Sequence, residues 1–194
     1  MEQTKRRIRT IDITFLAFGL ALFVVLSMCL RVPVFENYYL CLGYVVMTVY
    51  IWCFKWYEGA FIGFFGTILY GIVGGLGFNG LPGWAVGNII IGLIIGLTLK
   101  PIKKVKWKTI QVVLTAVVAI IATWVGIELV KSLIDSFVVG QPVWVRMTKN
   151  FTSFIADAFV IVASLPICAV LENYAKRLRY GALLPKDKMQ ERRK

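Results

Sequence analysis

Six long apolar runs decide what this chain can become. They cover roughly Ile13–Leu30, Tyr38–Phe54, Gly59–Val73, Pro82–Leu99, Thr109–Leu133 and Val143–Leu171. The hydrocarbon core of a bilayer is about 30 Å thick, and a helix needs about 20 apolar residues to cross it. Backbone N–H and C=O groups find no water there, so each run must satisfy its own hydrogen bonds as a helix. The expected fold class is therefore all-α: an integral membrane protein with a six-transmembrane-helix bundle and short loops. It forms a single transmembrane domain over residues 1–194, with basic tails at 1–12 and 174–194. With 59% hydrophobic and 16% charged residues, the chain departs from a soluble domain, which is about half apolar and about a quarter charged. The runs leave no stretch long enough for a soluble catalytic domain.

A net charge of +12 would point to nucleic acid in a soluble protein. Its distribution here points to topology instead. If both termini share one side, all but four of the 22 Lys and Arg residues fall on that side, the exceptions being Arg31, Lys131, Arg146 and Lys149. This bias places the N and C termini in the cytoplasm. The loops near 31–37, 74–81 and 134–142 are then expected outside. The basic tails and the Lys100–Lys108 loop are expected to meet lipid headgroups, not nucleic acid. No small-x-small cleavage site follows the first run, so it reads as a membrane helix and not as a removable leader.

Several chemistries are excluded by what the sequence lacks. It has no His, and none of its four Cys forms a CxxC pair, so neither a zinc site nor a His-dependent triad is expected. HExxH and GxSxG are absent, which argues against an intramembrane enzyme, and no GxxxxGK[ST] supplies a P-loop motor. No cofactor or metal is expected.

The stretch GFNGLPGWAVGN, Gly77 to Asn88, interrupts the apolar pattern. Pro82 suits the first turn of a helix. Trp84, Asn88, Gly92 and Gly96 then fall on one stripe, aromatic and polar at one end and bare at the other. Asn88 lies about 9 Å along the helix from Pro82. The fifth run carries Trp124, Glu128 and Lys131 on one face, with Glu128 near the outer interface and able to pair with Lys131 at i,i+3. The sixth carries Arg146, Lys149, Asn150, Ser153 and Asp157. Asp157 is roughly 20 Å below the start of its helix, where a carboxylate costs on the order of 3 kcal/mol and must face the bundle interior. Trp84, Asn88, Trp124, Glu128, Asn150 and Asp157 are thus the candidate ligand residues, suited to a small, planar, polar molecule. Small residues at spacing four (Gly59/Gly63, Gly71/Gly75, Gly83/Gly87, Gly92/Gly96) let helices approach closely in lipid. Ala17 and Ala21 do the same on the first helix, where spacing alone favours contact with another helix of the same bundle.

In these features the chain resembles the substrate-binding S components of energy-coupling factor (ECF) vitamin transporters. Ala17-x-x-x-Ala21 is similar to the family's small-residue docking motif, and Glu58-Gly-Ala-Phe-Ile-Gly-Phe-Phe-Gly to its Gly-rich third helix. Gly83-Trp-Ala-Val-Gly-Asn88 with Gly92-Leu-x-x-Gly96 is similar to its fourth helix, particularly in the riboflavin and hydroxymethylpyrimidine branch. The resemblance implies a multi-pass protein of the bacterial cell membrane that binds a vitamin or vitamin precursor at the outer face. It also implies partners, a transmembrane T component and two ABC ATPases, with Ala17 and Ala21 as the docking surface. The lack of His departs from the thiamine-specific branch. Two other readings remain open on the residues themselves. One is a solitary proton-coupled carrier using Asp157, and the other is a non-transport packing subunit in which Asn88 and Asp157 bond neighbouring helices.

Overall fold

The computed structural model describes residues 10–29, 32–35, 38–75 and 80–181. Most of both tails and parts of the 31–37 and 74–81 loops lie outside these. The order is α1 (Thr10–Cys29), a hairpin of β1 (Val32–Phe35) and β2 (Tyr38–Leu40), α2 (Gly43–Cys53), α3 (Trp56–Val73) and α4 (Leu81–Ile102). Then come α5 (Lys108–Val139) and α6 (Val143–Lys176). Five of these helices are long and apolar enough to cross a membrane, and α2 is a shorter apolar helix. The chain is a multi-pass helical bundle. Its two ends are called here the hairpin end and the basic end, the latter carrying Thr10, Lys103–Lys108 and Lys176.

Two expected boundaries moved, and both shape the site. The second apolar run is not helical throughout. Tyr38–Leu40 pairs antiparallel with β1 in the register Val32↔Leu40, with an irregularity between Pro33 and Phe35. Aromatic and β-branched residues around a Pro fit a short, irregular edge ribbon better than a helix. What remains of α2 is 11 residues, about 16 Å, so α2 starts near mid-depth in the bundle. The expected loop at 134–142 is mostly helix as well. α5 continues to Val139 and turns at Gly140 (φ +69°), whose N–H donates to Ser136 O at 2.9 Å. Pro142 caps the start of α6. Asp135, which falls in the expected loop, is instead buried in the helix, as is Ser132 just before it.

Within α5, Trp124–Lys131 is π-helical. Such wide turns recur at functional sites. Here the widening accompanies a close crossing with α4: a Cβ at Gly87 would sit 2.6 Å from Gly126 O, and one at Gly126 would sit 2.7 Å from Gly87 O. The α4 stripe serves the opposite side too, since a Cβ at Gly92 would lie 2.8 Å from that of Ala60 on α3. Small residues thus bring α3, α4 and α5 together by backbone approach, the interaction that drives helix association in lipid. Met47, Ile51, Ile62, Ile91, Ile127 and Ile161 fill the centre. α1 packs on α2 and α3, burying Gly19, Phe23 and Ser27.

Candidate functional site

Because α2 begins at mid-depth, its first turn delivers Tyr44 to the middle of the bundle, where α3, α4 and α6 also bring polar groups. Trp84 Nε1 donates to the Tyr44 hydroxyl at 2.6 Å. That hydroxyl is 2.8 Å from Asn88 Oδ1 and 3.1 Å from Asp157 Oδ2. Its single proton can serve only one of these two acceptors at a time. The Asn88 amide donates to Thr67 Oγ1 at 2.7 Å and to Gly63 O at 3.2 Å. Tyr44, Asn88, Thr67 and Asp157 are all buried, and Trp84 is half-buried against Tyr70 with ring centroids 5.9 Å apart. The sequence-expected residues Trp84, Asn88 and Asp157 therefore meet, and they meet through Tyr44. Sequence reading missed Tyr44 because it expected the second helix to run unbroken from residue 38.

A second cluster lies toward the hairpin end, on α5 and α6. Lys131 Nζ donates to Asn150 Oδ1 at 3.0 Å, and Asn150 Nδ2 donates to Ser132 Oγ at 2.9 Å and Asp135 Oδ2 at 3.4 Å. Arg146 pairs with Asp135 at 3.5 Å. Lys131 is also in electrostatic reach of Asp157 and Glu128, which connects the two clusters. The expected pairing of Glu128 with Lys131 gives way to the Lys131–Asn150 bond. Glu128 is buried with Oε2 unmatched among the described residues, as are Asp135 Oδ1 and Arg146 Nε. Buried polar atoms without partners are costly, about 1–3 kcal/mol each, so this region is poised to take hydrogen bonds from something else. β2 packs against α6 and so covers this end of the helix that carries both Asn150 and Asp157.

The remaining sequence-expected residues are placed apart. Trp124 is 43% exposed and belongs to neither cluster. Ala17 and Ala21 are both exposed on α1, on a face shared with Phe18 and Val25 and turned away from the bundle. Among the described residues no helix packs on this face. An apolar groove of about 570 Å³ between α3 and α4, lined by residues such as Phe64, Ile68, Leu81 and Ala85, carries no charged side chain. Among the described residues no group of His, Cys, Asp and Glu could hold a metal ion.

Set beside known proteins, residues 7–173 match the model of one family, the ECF-type riboflavin transporter, S component. The fold is similar to the crystal structure of the S-component for biotin from an ECF-type ABC transporter. That match has a TM-score of 0.56 and 15% identity, covering 83% of this chain and 90% of the other. At this identity the likeness is one of fold. No curated protein sequence matches the chain.

Proposed function

Because the chain belongs to the ECF-type riboflavin transporter S-component family, we propose that it binds a neutral heterocyclic vitamin of the riboflavin kind among the buried polar groups of α2 and α4–α6. Membership itself makes the protein a vitamin-binding S component of an ECF transporter, a membrane transport subunit and not an enzyme. The specific reading adds the ligand, its site and its delivery. The hairpin end faces outside, the ligand enters there, and a T component with two ATPases carries the cycle through. Both termini lie in the cytoplasm of a bacterial cell, following the charge bias.

The observation that carries the site is the convergence of Trp84, Asn88 and Asp157 on the Tyr44 hydroxyl. Trp84 and Tyr44 provide aromatic faces, and Asn88 and Asp157 provide acceptors that compete for one proton. An N–H edge of a flat heterocycle satisfies the acceptor left over. Charge supports a neutral ligand. Among the described buried residues, Lys131 and Arg146 face three carboxyl groups, Glu128, Asp135 and Asp157, a balance that favours a neutral ligand over a carboxylate vitamin. Asn150 and Glu128 extend the same lining, while Trp124 is reached only if its part of the π-helical turn rearranges.

Titration of the purified full chain with riboflavin, read by the vitamin's own fluorescence, tests the ligand. Stoichiometric quenching, with no competition from biotin, is expected. Stoichiometric biotin binding without riboflavin binding overturns the reading. The delivery step is tested separately. Ala17→Trp fills the exposed small-residue face of α1 and is expected to leave riboflavin affinity within about twofold while abolishing uptake in cells. Intact uptake removes α1 as the docking surface.

A further inference from the structure

At the basic end one buried carboxylate gathers three lysines. Glu172 on α6 accepts from Lys103 at 3.0 Å, from Lys108 at 2.5 Å and from Lys176 at 2.6 Å. Trp52 Nε1 donates to the same group at 3.1 Å, and Lys103 also donates to the Trp52 carbonyl. Among the described residues, three ammonium groups share one carboxylate, which leaves two positive charges uncompensated at a fixed place. Each ammonium has three donors. Lys108 and Lys176 direct one apiece to Glu172 and remain 57% and 43% exposed.

The surroundings fit a lipid. Trp107 and Tyr174, beside the lysines in sequence, are 70% and 64% exposed, as aromatic residues are at a membrane–water interface. Toward the hairpin end from this level, the packed helices α5 and α6 expose Ile110, Leu114, Ile167 and Leu171, apolar side chains within about three helical turns of the lysines. Glu172 sets the spacing of the lysines by holding all three, so the cation pair is ordered before any anion arrives.

We infer that Lys108 and Lys176, positioned by Glu172, bind the phosphodiester headgroup of an anionic phospholipid at the basic end of α5 and α6. Such contacts are worth about fivefold in preference per lysine near an anionic surface. The site is separate from the vitamin-binding centre and does not rest on the identity of the vitamin.

The test uses the full chain in nanodiscs of phosphatidylcholine mixed with phosphatidylglycerol, followed by native mass spectrometry of the retained lipid. The wild-type protein is expected to retain one phosphatidylglycerol in preference to phosphatidylcholine. Lys108→Gln with Lys176→Gln should reduce that preference tenfold or more. The charge-matched pair Lys104→Gln with Lys106→Gln, on exposed residues of the same loop, should change it less than twofold. Single Lys108→Gln leaves Lys103 and Lys176 on Glu172 and should give an intermediate loss, which guards against a double variant that fails to fold. Equal losses from both pairs, or no loss from the first, overturn the proposal. So does displacement of the lipid by millimolar inorganic phosphate, which would mean the lysines read a free anion. A lipid preference left intact while co-purification with the T component falls would assign the lysines to a protein partner and overturn it too.

Discussion

The centre at Tyr44 and the ion pairs at the basic end are both buried and polar, yet they are built on opposite principles. Among the described residues of the basic end, Glu172, Glu58 and Asp12 each accept more than one N–H. Arg179, 1% exposed, donates to both oxygens of Glu58 and to Asp12 Oδ1, the latter at 2.6 Å, and lies between the rings of Phe15 and Phe54 at 5.8 and 4.9 Å. It ties the first turns of α1 and α3 to the end of α6. Glu172 ties α2, α5 and α6 in the same way. Around Tyr44 one proton is shared between two acceptors, and nearby Glu128, Asp135 and Arg146 keep unmatched atoms. Carboxylates whose oxygens are all engaged hold helices in place, while the spare donors of Lys108 and Lys176 remain exposed at the surface. Unmatched acceptors inside the bundle are where a buried ligand gains by binding.

Substitutions can break or sharpen that contrast. The largest effect is expected from Arg179→Ala, which removes the cation that Glu58 and Asp12 share and leaves the buried Glu58 carboxylate without it. Losing one member of a buried pair costs about 3–5 kcal/mol. Thermal unfolding in detergent should fall by several degrees, while the affinity of the protein that remains folded stays the same. An affinity loss larger than the stability loss would erase the distinction between the two regions. Asn88→Ala comes next. It removes the acceptor facing Tyr44 and the donor to Thr67, and ligand affinity should drop by roughly 2 kcal/mol, about 30-fold. A stability loss without any affinity loss would return Asn88 to interhelical bonding. Tyr44→Phe removes the shared proton and leaves the ring, so about 1 kcal/mol of affinity is expected to go, seen as a several-fold weaker riboflavin titration. Trp124→Ala is the smallest. Exposed as it is, it should change both quantities by less than about 0.5 kcal/mol. A tenfold affinity loss would show that the π-helical turn rearranges to bring the indole inward.

The candidate site was legible in part. Asn88 and Asp157 stand out because a carboxamide and a carboxylate in hydrocarbon must have partners, whatever the fold. Trp84 follows from its place on the same stripe as Asn88. The hub that joins them was hidden. Tyr44 sits in an apolar run, and a tyrosine there is an ordinary core or interface residue until the run is known to break at Leu40. Trp124 shows a different case: spacing puts it on the face of Glu128, but spacing does not set burial, and the indole is exposed where Glu128 is buried. Ala17 and Ala21 illustrate a third case. Spacing defines the groove on α1, but only the packing of α1 on α2 and α3 shows which way it faces.

The sequence by itself determined the membrane, the six helices, the small-residue stripes and the distribution of charge. Each of these follows from local chemistry: hydrocarbon admits no unpaired backbone, and Gly at spacing four presents the same bare face in any bundle. Tertiary structure decided the rest: where α2 starts, that α5 widens beside α4, and which lysines converge on Glu172. These depend on residues far apart in the chain competing for the same volume and the same hydrogen bonds. No local pattern encodes that competition, because its outcome is fixed only when Gly87 meets Gly126 and Tyr44 comes within 2.8 Å of Asn88.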